Sequence, residues 1–201
     1  MAILRTIGWL LSIVLATIPC YWFLVHPKAE YWRRKAGARF RVLGPLWVAM
    51  WVAAGLLTRP WRHALLYDAR WPWAPAAFFL GTGFYLYSRA HLSFDQLIGR
   101  PEVQGEGHEQ RLVATGIHAR VRHPVYLGHF CELLGWSIGT GLVVVYALTA
   151  FALVTGAIMI RMEERELEQR FGEAYRDYKS RVPLFPGFAG SAARVERNAH
   201  S

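Results

Sequence analysis

The chain has 201 residues, 54% of them hydrophobic, with nine tryptophans and a formal net charge of +9. That length suits one compact domain and excludes two substantial ones. The charge invites a nucleic-acid reading, but the basic residues flank apolar blocks instead of forming one patch, which points to an anionic lipid surface and away from nucleic acid.

The apolar residues gather in four blocks: Ile3 to Val25, Val42 to Leu57, Trp73 to Ser88 and Val125 to Ile160. A helix needs roughly 20 residues to cross a hydrocarbon core of about 30 Å. The first block fits one crossing. It has one early Arg and no small-residue cleavage site before Cys20-Tyr21-Trp22, so it reads as a retained span and not a signal peptide. The second and third blocks are somewhat short, which tilt and interfacial anchors accommodate. The last is too long for one span and carries Gly139-Thr140-Gly141 near its middle, predicting a helical hairpin with a tight turn there. The expected fold is therefore an all-α integral membrane protein of about five transmembrane helices. Residues 1–88 hold three helices, 89–124 a cytoplasmic loop, 125–160 the hairpin and 161–201 a cytoplasmic helical tail. A soluble bundle is the alternative, and the boundary positions of Trp61, Trp71 and Trp73 argue against it. With the amino terminus outside, 19 of the 23 Lys and Arg residues fall on the cytoplasmic side, which selects N-out, C-in. Cys20 and Cys131 lie inside predicted spans, with neither C-x-x-C nor metal-ligand spacing.

Three segments depart from plain membrane helix. Before span four, Arg120, Arg122 and His123 precede Pro124, which suits a first helical turn; free N–H groups, the helix dipole and these cations together make a candidate anion site at the membrane boundary. Basic residues anchoring a helix end explain the same pattern. One turn further in, His129 and Glu132 stand three apart on one helix face. They read either as a mutually satisfied pair or as polar groups lining a substrate cavity. Span five runs without a breaker into Arg161-Met162-Glu163-Glu164, with Gly172 as its stop and Tyr175 and Tyr178 on a short amphipathic piece beyond. Solvated i, i+4 ion pairs would account for most of these charges. Glu163 and Glu164, however, stand at the membrane exit, and the hairpin brings them to the basic start of span four. A ligand with an anionic and a cationic end fits such a place.

Leu112, Gly116, Arg122, His123, Pro124, Tyr126 and Gly128, followed by Glu163, Glu164, Leu167, Phe171, Gly172, Tyr175 and Tyr178, form two linked motifs. With the trailing Arg181-Val182-Pro183, this stretch resembles the membrane methyltransferases of the isoprenylcysteine carboxyl methyltransferase and phospholipid methyltransferase type. The resemblance covers about residues 112–186. It implies a five-helix or similar bundle that binds S-adenosylmethionine at the cytosolic interface and takes a lipophilic or small-molecule methyl acceptor from the membrane side. It also implies that Arg122, His123, Tyr126, Gly128, Glu163 and Glu164 line the cofactor site, with Tyr175 and Tyr178 in the second motif. The segment Phe94 to Glu102 is similar to a loop of bacterial members, giving an expected location in a bacterial inner membrane with the site facing the cytoplasm. His118 stands where the family usually has Tyr. His129 and Glu132 replace apolar or aromatic residues, so they are the candidate catalytic or acceptor-selecting groups. No metal is required, because the sulfonium is already an activated leaving group.

Two other classes remain in view. A metal oxidase would use His91, His118, His123, His129 and Glu132, but their separations do not put three imidazoles on one face. A non-catalytic sensor or assembly protein would keep the fold without turnover.

Overall fold

The computed structural model describes residues 1–28, 31–32, 36–90, 112 and 114–186, with the backbone alone for 36–40. His91, the 94–102 segment and the loop around His108 lie outside the described residues. Six helices carry the fold: α1 (Ala2–Val25), α2 (Ala36–Thr58), α3 (Trp73–Arg89), α4 (Pro124–Thr140), α5 (Val143–Phe171) and α6 (Glu173–Arg181). Among the described residues the only strand-like feature is an isolated bridge between Leu65 and Leu142.

Sequence punctuation sets the helix ends. Pro124 opens α4 at its first turn, where the missing N–H costs nothing. Gly141, at φ 66°, ends α4 in the left-handed region, and Leu142 leads directly into α5. The expected hairpin is therefore present, with Gly139 and Thr140 still helical and the turn at Gly141-Leu142. Gly172, at φ 54°, separates α5 from α6. Ser137 and Thr149 pin the hairpin internally through their hydroxyls at 2.8 Å.

α4 is central. It lies along α3 and α5, and α1 packs on both α4 and α5, while α2 is peripheral and touches α1. The core between α1, α4 and α5 contains Trp9, Ile13, Ala16, Leu133, Val145 and Ala152. One end of the bundle gathers the start of α1, the loop after α2 and the hairpin turn. There the Leu66 N–H donates to the Gly141 carbonyl at 2.8 Å, and Arg5 Nε donates to the Thr140 carbonyl at 3.1 Å. The other end gathers the C-terminus of α1, the start of α4 and the end of α5.

Three segments are long and apolar enough to cross a membrane: Ala2–Lys28, Arg41–Trp61 and Val143–Phe171. The chain is an integral membrane protein by that measure, with three such segments among the described residues against the five expected. The difference is one of length. α3 and α4 have 17 residues each and rise about 26 Å, just under a hydrocarbon thickness of about 30 Å. α5, with 29 residues, rises about 43 Å, so its last turns stand clear of any core that its first turns span.

The α3–α4 seam depends on small residues. A Cβ at Gly83 would lie 2.6 Å from Glu132 Cγ and 2.9 Å from the Gly128 carbonyl oxygen, and backbone cannot swing aside. Gly83→Val should therefore cost about 1–3 kcal/mol, read as a lower thermal midpoint of the detergent-solubilised protein.

Candidate functional site

Glu164 joins three segments. Its Oε1 lies 3.0 Å from Arg122 Nε and 3.4 Å from His123 Nε2, and its Oε2 lies 3.1 Å from Lys179 Nζ. Arg122 and His123 come from the start of α4, Lys179 from α6 and Glu164 from α5. Glu163 lies beside them, with Oε2 at 3.7 Å from His123 Nδ1 and its carboxylate near the Tyr126 hydroxyl. The His123 and Tyr126 rings stack at 5.5 Å.

The helix turn explains why these groups meet. Gly172 reverses the chain after α5, so α6 folds back over the α4 entrance. Tyr175, Tyr178 and Lys179 then fall on one face of α6 at i, i+3 and i+4. Arg122 anchors that face. Its Nη1 donates to the carbonyls of Lys179 at 2.7 Å and Val182 at 2.9 Å, and its backbone N–H donates to Pro183 at 3.1 Å. The Tyr178 hydroxyl donates to the His118 carbonyl at 2.8 Å, fixing the short turn Gly116–Ala119. Burial pushes the Tyr178 phenol up to about 12 and raises Tyr175 as well. Bonds to Glu168 and Glu164 raise Lys179. Burial lowers His118, despite the opposing Arg122 backbone bond.

The cations at the start of α4 are thus matched by carboxylates of α5, which corrects the reading of that helix start as an open anion site. Arg122 and His123 are spoken for, and Arg120 remains exposed. Apart from the mutually paired Arg122 Nε, His123 Nε2 and Glu164 Oε1, two buried polar atoms of the cluster lack a hydrogen-bond partner: Tyr175 Oη and Glu163 Oε2. Such atoms are costly to leave unmet. They suit a polar ligand bearing both donors and acceptors.

Gly128 lies elsewhere. It faces α3, with Gly83 oxygen and the Tyr87 ring 3.3 and 3.5 Å from its would-be Cβ, so its smallness serves helix packing. His129 and Glu132 do not pair. His129 Nδ1 bonds the Val125 carbonyl at 2.9 Å and its ring meets Tyr87 edge-on, while Glu132 packs against Gly83.

Next to the ionic cluster is an apolar cavity of about 830 Å³ between α3, α4, α5 and residues 184–186. Phe79, Leu127, Phe130, Cys131 and Ala157 form its wall, and Arg161 and Glu164 form its polar end. Phe78 and Leu153 stand exposed at the rim. Neither His129 nor Glu132 lines it. Sequence reasoning missed this cavity and Lys179. The spacing of Lys179 from Tyr175 was a usable signal, but nothing local marks a cavity. Among the described residues no group of three or more His, Cys, Asp or Glu is arranged to hold a metal ion.

The profile of the family described as Phospholipid methyltransferase matches residues 73–174, from the start of α3 into α6. The chain belongs to that family. Among relatives of this family member, the Protein-S-isoprenylcysteine O-methyltransferase of Schizosaccharomyces pombe is 33% identical over 110 residues, 52% of this chain and 45% of the relative. The mouse protein of the same name is 43% identical over 81 residues, 36% of this chain and 26% of the relative. Methanethiol S-methyltransferase 1 of Bradyrhizobium diazoefficiens is 30% identical over 117 residues, 58% and 38% respectively. The matched part of the chain thus spans less than half the length of these curated relatives. No solved structure matches.

Arg122 holds both Glu164 and the α6 carbonyls, with 11% of its side chain exposed. Arg122→Gln should remove about 3 kcal/mol or more of local stability, seen as faster amide exchange across 173–186 while the α4–α5 hairpin keeps its protection.

Proposed function

We propose that this chain is an S-adenosylmethionine-dependent methyltransferase of the membrane, transferring a methyl group to a lipophilic acceptor. The observation that carries this reading is adjacency: Glu164 borders both the ionic cluster and the apolar cavity. Membership of the phospholipid methyltransferase family and the methyltransferase names of its relatives support the same chemistry.

The bound donor supplies a methyl group already activated on a sulfonium. Around it, Glu163, whose carboxylate is less completely satisfied than that of Glu164, receives the ammonium or the ribose hydroxyls. The Tyr175 hydroxyl donates to an acceptor atom of the ligand. Arg120 and Lys179 meet its carboxylate, and the His123–Tyr126 stack offers an aromatic face to the cation. Glu164 holds Arg122, His123 and Lys179 in place. The protein's work is then alignment and exclusion of water.

The acceptor slides between Phe78 and Leu153 from the lipid-facing side and presents its polar end to Arg161 and Glu164. A carboxylate acceptor needs no base, whereas a thiol or amine does. His129 and Glu132 lie off the cavity wall, which favours an acceptor of the first kind. On this reading α3 and α4 also cross the membrane, tilted or in a locally thinned bilayer. That makes five spans, N-out and C-in, in a bacterial inner membrane with the site on the cytoplasmic side.

Calorimetry in detergent tests the cofactor half. Glu163→Gln should weaken S-adenosylmethionine binding by about ten- to a hundred-fold, the worth of a charge-assisted bond; unchanged affinity would remove the assignment. Ala157→Trp, which fills the cavity without touching the ionic cluster, tests the acceptor half. It should lower kcat/KM for an isoprenylcysteine carboxylate by about ten-fold or more while donor affinity stays within about two-fold. Donor binding with no methylated product, across carboxylate, amine and thiol acceptors, would leave a sensor in place of an enzyme.

A further inference from the structure

The opposite end of the bundle carries a second, smaller pocket of about 140 Å³, lined by Ala2, Arg5, Thr6, Trp9, Arg62, His63, Leu65 and Leu142. Its lining holds two guanidiniums and an imidazole and no carboxylate. Arg5 is already committed, to Asp68 at 2.6 Å and to the Thr140 carbonyl. Arg62 is not. Its guanidinium lies 5.9 Å over the Trp9 ring and its Nε donates to His63 Nε2 at 3.0 Å, which requires that ring nitrogen to be unprotonated. Among the described residues no carboxylate pairs with Arg62, so its remaining donors face the pocket without a countercharge.

The depth of the pocket is fixed by its neighbours. Trp61 and Trp71 flank the loop and are 60% and 75% exposed, the position of interfacial aromatics at headgroup level. On the adjacent face of α1, beside the pocket, Ile3, Ile7 and Leu10 present exposed apolar side chains. A forked cation at headgroup depth above an apolar strip matches a phosphodiester with acyl chains attached.

We propose that this pocket binds the phosphate of an anionic phospholipid, with Arg62 as its principal contact and the acyl chains lying along α1. The site is separate from the ionic cluster at the other end and does not depend on methyl transfer. It ties the loop after α2 and the hairpin turn to the bilayer surface. Trp9 orients the guanidinium from below, its own indole N–H donating to Thr58 at 2.9 Å.

Native mass spectrometry of the full chain in detergent, titrated with phosphatidylglycerol or phosphatidylcholine, tests this. Phosphatidylglycerol should be retained in preference, and Arg62→Gln should weaken that retention by about five-fold, the share of one interfacial basic residue. Arg62→Lys should recover most of it, which separates lost charge from lost folding. Arg59→Gln, outside the pocket, should behave as wild type. Equal retention of the two lipids, an equal loss in Arg59→Gln, or displacement of phosphatidylglycerol by millimolar inorganic phosphate at constant ionic strength would each overturn the proposal.

Discussion

The carboxylate of Glu164 is the point on which the described architecture at the α4 entrance turns. Two cations and an imidazole from two other segments converge on it, and it is 13% exposed. Buried ions are expensive unless each finds partners, so the arrangement ties α5, the start of α4 and α6 into one unit. Removing any member leaves the others charged and unmatched. This requirement, together with the packing of Tyr175, Tyr178 and Val182 against Leu167 and Phe171, holds α6 over the entrance of α4. The amphipathic helix itself is only 9 residues long, too short to be stable on its own.

The same constraint separates two neighbouring glutamates that look equivalent in sequence. Glu164 has its charge met from both oxygens. Glu163, one residue earlier and therefore turned about 100° around the helix, is 26% exposed, and among the described residues its one ion-pair neighbour is the His123 imidazole at 3.7 Å. One carboxylate is tied into the fold by three neighbours, and the other makes fewer such contacts. Local electrostatics assigns that division, since both residues belong to the same motif.

The hairpin, the Pro124 start and the Gly172 stop were legible because each depends on one residue's backbone preference. The pairing of Arg122 with Glu164 was half legible: the motifs placed both at one end, but sequence could not tell an open anion site from a cation already neutralised. Gly128 shows a different limit. Its place in a motif suggests ligand contact, while its actual neighbour is the backbone of Gly83, which depends on how α3 lies along α4. His129 and Glu132 shared a helix face by spacing, yet a 60° offset is enough to send one toward the Val125 carbonyl and Tyr87 and the other against α3. His26 was invisible altogether. It bonds Glu166 at 2.7 Å across 140 residues of sequence, and no local pattern encodes such a contact.

Helix length links the two halves of the site. α3 and α4 are about 18 Å shorter than α5, so beside the α4 entrance the end of α5 continues past a step, flanked by the end of α1 and by α6. Residues 184–186 return to fill that step, with Phe185 meeting Phe130 edge-on at 6.1 Å. The cavity is the space left beneath them. If α3 and α4 cross the membrane as proposed, a bilayer adjusting to two short helices and one long one thins beside the short pair, which lowers headgroups toward Arg161 and Glu164. A lipid-borne polar group then reaches the ionic cluster without its chain leaving the apolar wall. On the proposed function, the mismatch that keeps α3 and α4 below the length of a full span is what brings a membrane-dissolved acceptor and a water-borne donor to one carboxylate.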